Sequence, residues 1–122
     1  MGSILSSSSS KEEIQLALDK AKETSTSAPV VVFSKTYCGY CKRVKQLLTQ
    51  LGSSFKVIEL NEESDGSAIQ SALAQWTGLS TVPNVFIGGK HIGGCDSTLE
   101  KYQKGELLPL LNDAGAIAKN SA

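Results

Sequence analysis

The segment from Pro29 to Leu60 restricts the possible folds more than any other part of this sequence. Pro29–Phe33 is a short, continuous apolar run rich in β-branched residues, which is typical of a strand buried on both faces. A helical stripe follows, and Phe55–Leu60 is a second strand. The stripe consists of Val44, Leu47, Leu48 and Leu51. A strand, a helix and a strand within about thirty residues form a right-handed βαβ unit, so we expect the two strands to be parallel.

The rest of the chain supplies more helices and a hairpin. Val85–Ile87 and Lys90–Ile92 are separated by two glycines, which predicts two antiparallel strands joined by a tight turn. Three further helices are marked by Ile14–Ala21, Ile69–Trp76 and a capping box at Ser97 and Glu100. The predicted fold class is α/β, with a mixed four-stranded sheet flanked by helices.

The length of 122 residues fits a single domain. Residues 1–10 are Ser-rich and low in complexity, so we expect a disordered tail there. A capping box at Ser10 and Glu13 begins the first helix. We therefore expect a folded domain over residues 11–115 and a flexible C-terminal tail over residues 116–122.

Charge and hydropathy exclude several classes of protein. Twelve basic and twelve acidic side chains give a formal net charge of zero, whereas a nucleic-acid-binding surface needs a cationic excess, so we expect no nucleic-acid partner. No apolar run approaches the roughly 20 residues that a membrane-spanning helix needs. Three cysteines without a secretory signal indicate a reducing compartment, and we expect a cytoplasmic location.

The chemistry of the chain concentrates at Cys38 and Cys41. Because this Cys-Gly-Tyr-Cys sequence joins a buried strand to an amphipathic helix, Cys38 should lie at the helix N-terminus. Free amide groups and the helix dipole favour a thiolate there, and Lys35 adds a nearby cation. Cys41 lies one turn deeper, where it can attack a disulfide formed on Cys38. Position alone thus predicts a nucleophilic and a resolving cysteine.

Two alternatives remain open for these cysteines. Cys38 and Cys41 could be inert core residues. They could also bind zinc, since they form a four-ligand set with His91 and Cys95. The βαβ context argues against zinc, because a chain with several apolar helical stripes does not need a metal to fold. We interpret His91 as an exposed hairpin residue and Trp76 as a core residue.

Three separated motifs resemble one family. They are Thr36-Tyr37-Cys38-Gly39-Tyr40-Cys41, Thr81-Val82-Pro83 and Gly93-Gly94-Cys95-Asp96. Their order and spacing are similar to those of the glutaredoxins, above all the plant dithiol members, from about Lys11 to Leu111. The resemblance implies a thioredoxin-like fold and glutathione-dependent reduction of disulfides, with glutathionylated or disulfide-containing proteins as partners.

The resemblance also implies roles for individual residues. Cys38 and Cys41 would be catalytic, and Thr81 and Val82 would offer main-chain hydrogen bonds to glutathione before a cis Pro83. The remaining glutathione-binding residues would be Lys35 and Gln70 at the glycine carboxylate, Cys95 and Asp96 at the γ-glutamyl end, and Tyr40 along the groove. Each has a simpler interpretation: a solvated surface for Lys35 and Gln70, a helix cap for Asp96, a turn for Pro83 and an incidental thiol for Cys95.

Gly39 departs from the commonest motif of the family, which has proline there. Relatives that lack the proline include members that hold a [2Fe–2S] cluster between two subunits. In that arrangement, Cys38 of each subunit and two glutathiones would be the ligands. An iron–sulfur-binding homodimer is therefore a second expected function, compatible with the first.

The opening Met1-Gly2-Ser3 and Ser6 fit the pattern for N-myristoylation of Gly2. Glu12 and Glu13 follow instead of a polybasic second signal, so we expect at most weak membrane association.

Overall fold

The structure, a computed structural model, describes residues 11–118 of the chain. The tail expected over residues 1–10, Gly2 and the Ser10 cap lie outside the described residues. The strands are β1 Val30–Ser34, β2 Lys56–Glu59, β3 Asn84–Ile87 and β4 Lys90–Gly93. The helices are α1 Lys11–Ser25, α2 Gly39–Gln50, α3 Gly66–Thr77, α4 Cys95–Gln103 and α5 Leu107–Asp113, with a 3₁₀ turn at Leu60–Glu62.

The sheet has four strands in the order β2-β1-β3-β4. β1 pairs with β2 in parallel and with β3 antiparallel, and β3 pairs antiparallel with β4. This confirms the predicted mixed sheet, its βαβ unit and its hairpin. Every residue of the central strand β1 is buried, as its continuous apolar run predicted. Among residues 11–118, no helix is both long enough and apolar enough to cross a bilayer.

Side chains of β1 alternate between two apolar cores, one on each face of the sheet. On one face Val30 and Val32 pack with α2 and α5, and we call this cluster the first core. On the other face Val31 and Phe33 pack with α1 and α3, and we call this cluster the second core. On that second face Phe86 of β3 lies edge-on to Phe33, with ring centroids 5.8 Å apart. The fold is therefore a four-stranded sheet between two layers of helices.

Two residues at the edge of the second core have roles that their sequence positions left open. Trp76 packs against the core, as predicted, but it is only partly buried. Its ring stacks on Phe86 at 5.1 Å, and the Lys22 ammonium lies 5.6 Å from its centroid. His91 is exposed, as predicted, yet it has partners. Its Nε2 lies 2.7 Å from Oδ1 of Asn84, and its ring packs on Phe86.

The C-terminal boundary lies further along the chain than predicted. Ala116 is buried in the first core, and the Ser54 N–H donates to its carbonyl at 2.8 Å. Ile117 forms a β-bridge with Ser53. The flexible tail expected over residues 116–122 is therefore wrong for its first two residues. Ala116 packs in the first core, and Ile117 pairs with Ser53.

The predicted capping box at Ser97 is also wrong. α4 begins two residues earlier, at Cys95, and its N-cap is Gly94, which makes no side-chain cap. Gly93 allows this early start. Its φ of +121° is a conformation that glycine adopts readily, and a Cβ at this position would lie 2.8 Å from the Ser97 hydroxyl oxygen. The chain thus passes from β4 directly into α4.

Candidate active site

The helix α2 begins immediately after Cys38, which is its N-cap residue. The Cys38 sulfur accepts a hydrogen bond from the Cys41 N–H at 3.3 Å and donates to the Val82 carbonyl at 3.7 Å. Cys38 is half-buried, so its sulfur remains accessible. This confirms the predicted placement of Cys38 at a helix N-terminus, where unpaired amides face the side chain.

The loop between β1 and α2 is held by a residue that the sequence analysis missed. Asn61, in the 3₁₀ turn after β2, accepts from the Thr36 N–H at 2.9 Å and donates to the Thr36 hydroxyl at 2.7 Å. The Cys38 N–H donates to the Lys35 carbonyl at 3.0 Å. No sequence motif marked Asn61, because its partner lies 25 positions away.

The environment of Cys38 favours the thiolate. Burial opposes ionisation, but it is outweighed by hydrogen bonds from the Cys41 thiol and from the N–H groups of Cys41 and Tyr40, and by the Lys45 ammonium. The pKa of Cys38 therefore lies below its ordinary value.

Lys45 is a cation whose charge lowers the pKa of Cys38, and the predicted effect of Lys35 stays a prediction. Lys45 lies seven residues after Cys38 on α2, one turn beyond Cys41. Its ammonium is 2.7 Å from Oε2 of Glu59, which lies on the neighbouring strand β2. Helical spacing from Cys41 was the available signal for Lys45, whereas its pairing with Glu59 depends on how α2 packs on the sheet.

Cys41 has the opposite character. Its side chain is fully buried. Burial and the hydrogen bond with Cys38 raise the pKa of the Cys41 thiol. All three cysteines are unpaired thiols. The pKa is lowered for half-buried Cys38 and raised for buried Cys41, while their division between attack and resolution stays a prediction.

A groove of about 530 Å³ runs from the start of α2 to the start of α4. It brings together six of the predicted site residues: Tyr40, Thr81, Val82, Pro83, Cys95 and Asp96. The Val82–Pro83 peptide bond is cis, as expected. Leu79, Gly94 and Ser97 also line the groove, and the sequence analysis had not assigned them to the site.

Lys35 and Gln70 do not line this groove. The Gln70 amide donates to the Ser80 carbonyl at 2.8 Å, which ties α3 to the loop that carries Thr81. Lys35 is partly buried in the turn before Cys38. The structure therefore places both near the segments that form the site, while their predicted contact with a ligand stays a prediction.

Cys95 is the first residue of α4 and is buried at the groove. Burial raises the pKa of its thiol, although the charge of Arg43 partly opposes this. Asp96, the next residue, is exposed within the groove lining. The two residues differ in chemistry, since Cys95 brings a buried thiol to the groove and Asp96 brings an exposed carboxyl group.

The zinc alternative fails on geometry. Over residues 11–118, no group of three or more Cys, His, Asp or Glu side chains is arranged to hold a metal ion. His91 instead pairs with Asn84 on the hairpin.

A cis-proline loop facing a Cys-x-x-Cys pair at a helix N-terminus, on a mixed four-stranded sheet, defines a thiol–disulfide oxidoreductase of the thioredoxin-like class. The glutaredoxin family model matches residues 30–92. Over 123 aligned residues, covering 100% of this chain and 98% of the relative, the chain is 64% identical to glutaredoxin-C1 of Arabidopsis thaliana. The chain therefore belongs to the glutaredoxin family, and it is a glutathione-dependent thiol–disulfide oxidoreductase.

Two solved structures are similar throughout the fold. The buckwheat glutaredoxin–glutathione complex is 62% identical with a TM-score of 0.88, covering 89% of this chain and 99% of that one. The holo form of glutaredoxin C1 from Populus tremula x tremuloides is 75% identical with a TM-score of 0.80, covering 81% of this chain and 98% of that one.

Proposed function

We propose that this glutaredoxin reduces the glutathione mixed disulfides of proteins, with Cys38 as nucleophile and the groove as the glutathione site. One observation carries the proposal: the accessible, acidified sulfur of Cys38 lies 3.7 Å from the carbonyl of Val82, which lines the groove. The buckwheat relative was solved with glutathione. A glutathione in this groove would bring its sulfur to Cys38.

The first step transfers glutathione to the enzyme. The Cys38 thiolate attacks the glutathione sulfur, the mixed disulfide breaks, and the protein leaves as a thiolate that takes a proton from water. A second glutathione thiolate then attacks the Cys38–glutathione disulfide, which releases oxidised glutathione and regenerates the Cys38 thiolate. Cys41 is not needed in this sequence.

Cys41 takes part in the reduction of disulfides between protein thiols. When Cys38 has attacked such a disulfide, the Cys41 thiol loses its proton and attacks Cys38, which releases the second substrate thiol and leaves a Cys38–Cys41 disulfide. Two glutathiones then reduce that disulfide and become oxidised glutathione. The raised pKa of Cys41 keeps it protonated until Cys38 has reacted.

The groove suits an extended, bipolar tripeptide. Thr81 and Val82 precede Pro83, which has no N–H, so their backbone groups can pair with a peptide as an added strand would. Asp96 lies at the N-terminus of α4, where its carboxylate can accept from the α-ammonium of a γ-glutamyl group. Lys35 and Gln70 would serve the glycine carboxylate.

Two matched substitutions test the division of roles. Cys38→Ser should abolish reduction of a glutathionylated peptide, and Cys41→Ser should keep most of it, because free glutathione completes the reaction. With a peptide disulfide as substrate, both variants should lose most of the activity. Equal loss of deglutathionylation in the two variants would refute the assignment.

We further propose that the same Cys38 can hold a [2Fe–2S] cluster shared between two chains. Cys38 is accessible and Cys41 is fully buried, so one chain offers a single thiolate and the others must come from a second chain and from two glutathiones. A Cβ built on Gly39 would meet no atom within 4 Å apart from its chain neighbours, so open space adjoins the residue that follows Cys38. Such a cluster supplies one-electron redox chemistry or serves as a transferable group.

Gly39→Pro tests the second proposal. Proline fits the first turn of a helix and leaves both sulfurs in place, but it fills the space beside Cys38. Protein purified anaerobically with glutathione should be brown and dimeric for the native sequence and for Cys41→Ser, and colourless and monomeric for Gly39→Pro and Cys38→Ser. A colourless native protein would remove the cluster proposal alone, since deglutathionylation is measured separately.

We also propose a cytoplasmic location, which the three free thiols support. A fluorescent fusion of the full chain should give diffuse cytoplasmic signal, and a Gly2→Ala variant of that fusion would reveal any membrane-bound fraction that depends on myristoylation.

A further inference from the structure

The zero net charge of the chain conceals an uneven distribution. Between Thr24 and Ile58 there is no acidic side chain, whereas five basic side chains lie there: Lys35, Lys42, Arg43, Lys45 and Lys56. The remaining residues carry twelve acidic and seven basic side chains. This segment contains Cys38 and all of α2, so α2 carries cations and no carboxylate of its own, although the whole protein is neutral.

Two tyrosines and two cations lie within five positions of Cys38 in the chain, and all four are exposed. Tyr37 is 70% exposed and Tyr40 is 64% exposed. Lys42 and Arg43 are exposed as well, and within residues 11–118 neither forms an ion pair with a carboxylate. We call these four residues the Tyr–cation surface. Large aromatic rings and unpaired cations in one exposed area are typical of a binding surface.

The Tyr–cation surface adjoins the glutathione groove at Tyr40, and its other three residues lie outside the groove lining. Tyr40 borders the groove, and Arg43 follows three residues later on the same side of α2. In thiol–disulfide exchange the attacking, central and leaving sulfur atoms lie on one line. The leaving sulfur and its protein therefore lie beyond the glutathione sulfur, outside the groove. The protein part of a mixed disulfide then adjoins the Tyr–cation surface.

We propose that this surface selects glutathionylated proteins whose modified cysteine is flanked by acidic residues. The inference rests on the proposed reduction of protein mixed disulfides and adds the chemistry of the partner. Lys42 and Arg43 attract the carboxylates of the partner, and the two tyrosine rings contact its apolar atoms. A basic sequence around the cysteine meets the same cations and is disfavoured.

Two glutathionylated peptides test the inference. They share one sequence, except that glutamates flank the cysteine in the first and lysines in the second. At low ionic strength kcat/KM should be about tenfold higher for the acidic peptide, and the ratio should fall as salt is added. The double variant Lys42→Glu/Arg43→Glu should reverse the preference, and Lys42→Gln/Arg43→Gln should abolish it. Lys90→Glu, an exposed change on β4 at the far edge of the sheet, should leave the ratio unchanged.

The two peptides distinguish a failure of the acidic preference from a failure of the proposed deglutathionylation. Equal rates on both peptides, or a ratio that the double variants do not move, would overturn the acidic preference and leave deglutathionylation intact. Failure to reduce either peptide would overturn the proposed function and this inference with it. Since Lys42 and Arg43 are exposed and unpaired, thermal unfolding of the variants should match that of the native protein, so their effects report on recognition.

Discussion

The sulfur of Cys38 lies 3.7 Å from the backbone carbonyl oxygen of Val82, 44 positions further along the chain. This contact joins the reactive thiol at the start of α2 to the cis-proline loop that lines the groove. In the proposed function the first provides the nucleophile and the second provides a surface for a peptide. Neither segment is a complete site, and their approach requires the antiparallel pairing of β1 with β3.

The acidity of Cys38 should depend on Lys45 and not on Lys35. Because the Cys38 pKa lies below its ordinary value, carbamidomethylation by iodoacetamide should stay fast at a pH where Cys95 does not react, and it should slow as pH falls through the Cys38 pKa. Lys45→Met should move the midpoint of the labelling profile to higher pH, while Lys35→Met should leave it in place. Peptide mass spectrometry measures both, and an upward shift with Lys35→Met alone would contradict the assignment.

Asp96 should contribute to glutathione binding and not to chemistry. A carboxylate that accepts from the α-ammonium contributes about 1.5–3 kcal/mol, so Asp96→Asn should raise KM for a glutathione mixed disulfide by about tenfold or more with little change in kcat. Asp113→Asn, on the exposed end of α5, is the matched control. A fall in kcat at unchanged KM would show that Asp96 acts elsewhere in the reaction.

Phe86 should be among the most costly core residues to truncate. It is fully buried and its ring contacts Phe33, Trp76 and His91. Phe86→Ala should lower the free energy of unfolding by about 3–5 kcal/mol in urea denaturation. Leu108→Ala, at a residue that is 42% exposed, should change it by about 0.5 kcal/mol or less. A loss below about 1 kcal/mol for Phe86→Ala would mean that the second core repacks.

His91 should make the fold sensitive to mild acid. Burial lowers its pKa, so between the ordinary histidine pKa and the lowered one the unfolded chain binds a proton that the folded chain does not. Stability contributed by neutral His91 is therefore complete at neutral pH and is lost as pH falls below the ordinary value. Going from pH 7 to pH 5, His91→Gln should show a smaller decrease in Tm than the native protein. An equal decrease would show that His91 does not contribute.

Local patterns were sufficient for most of the fold. The apolar run of β1, the helical stripe of α2 and the two-glycine turn between β3 and β4 each encode their own geometry, because burial and backbone preference act over a few neighbouring residues. The errors fell at ends of elements, where distant contacts decide. Ala116 is ordered by Ser54, and α4 begins at Cys95 because Gly93 allows the turn from β4.

The sequence by itself determined where the reactive groups lie: which cysteine occupies a helix N-terminus, which lies one turn deeper, and which proline precedes the third strand. Only the tertiary structure decided which charges act on those groups. Lys45 was found to be a cation that acts on Cys38, and Asn61 was found to hold the Thr36 loop. The physical reason is distance, since electrostatic effects and hydrogen bonds depend on separation in space, and the packing of α2 on β2 sets that separation.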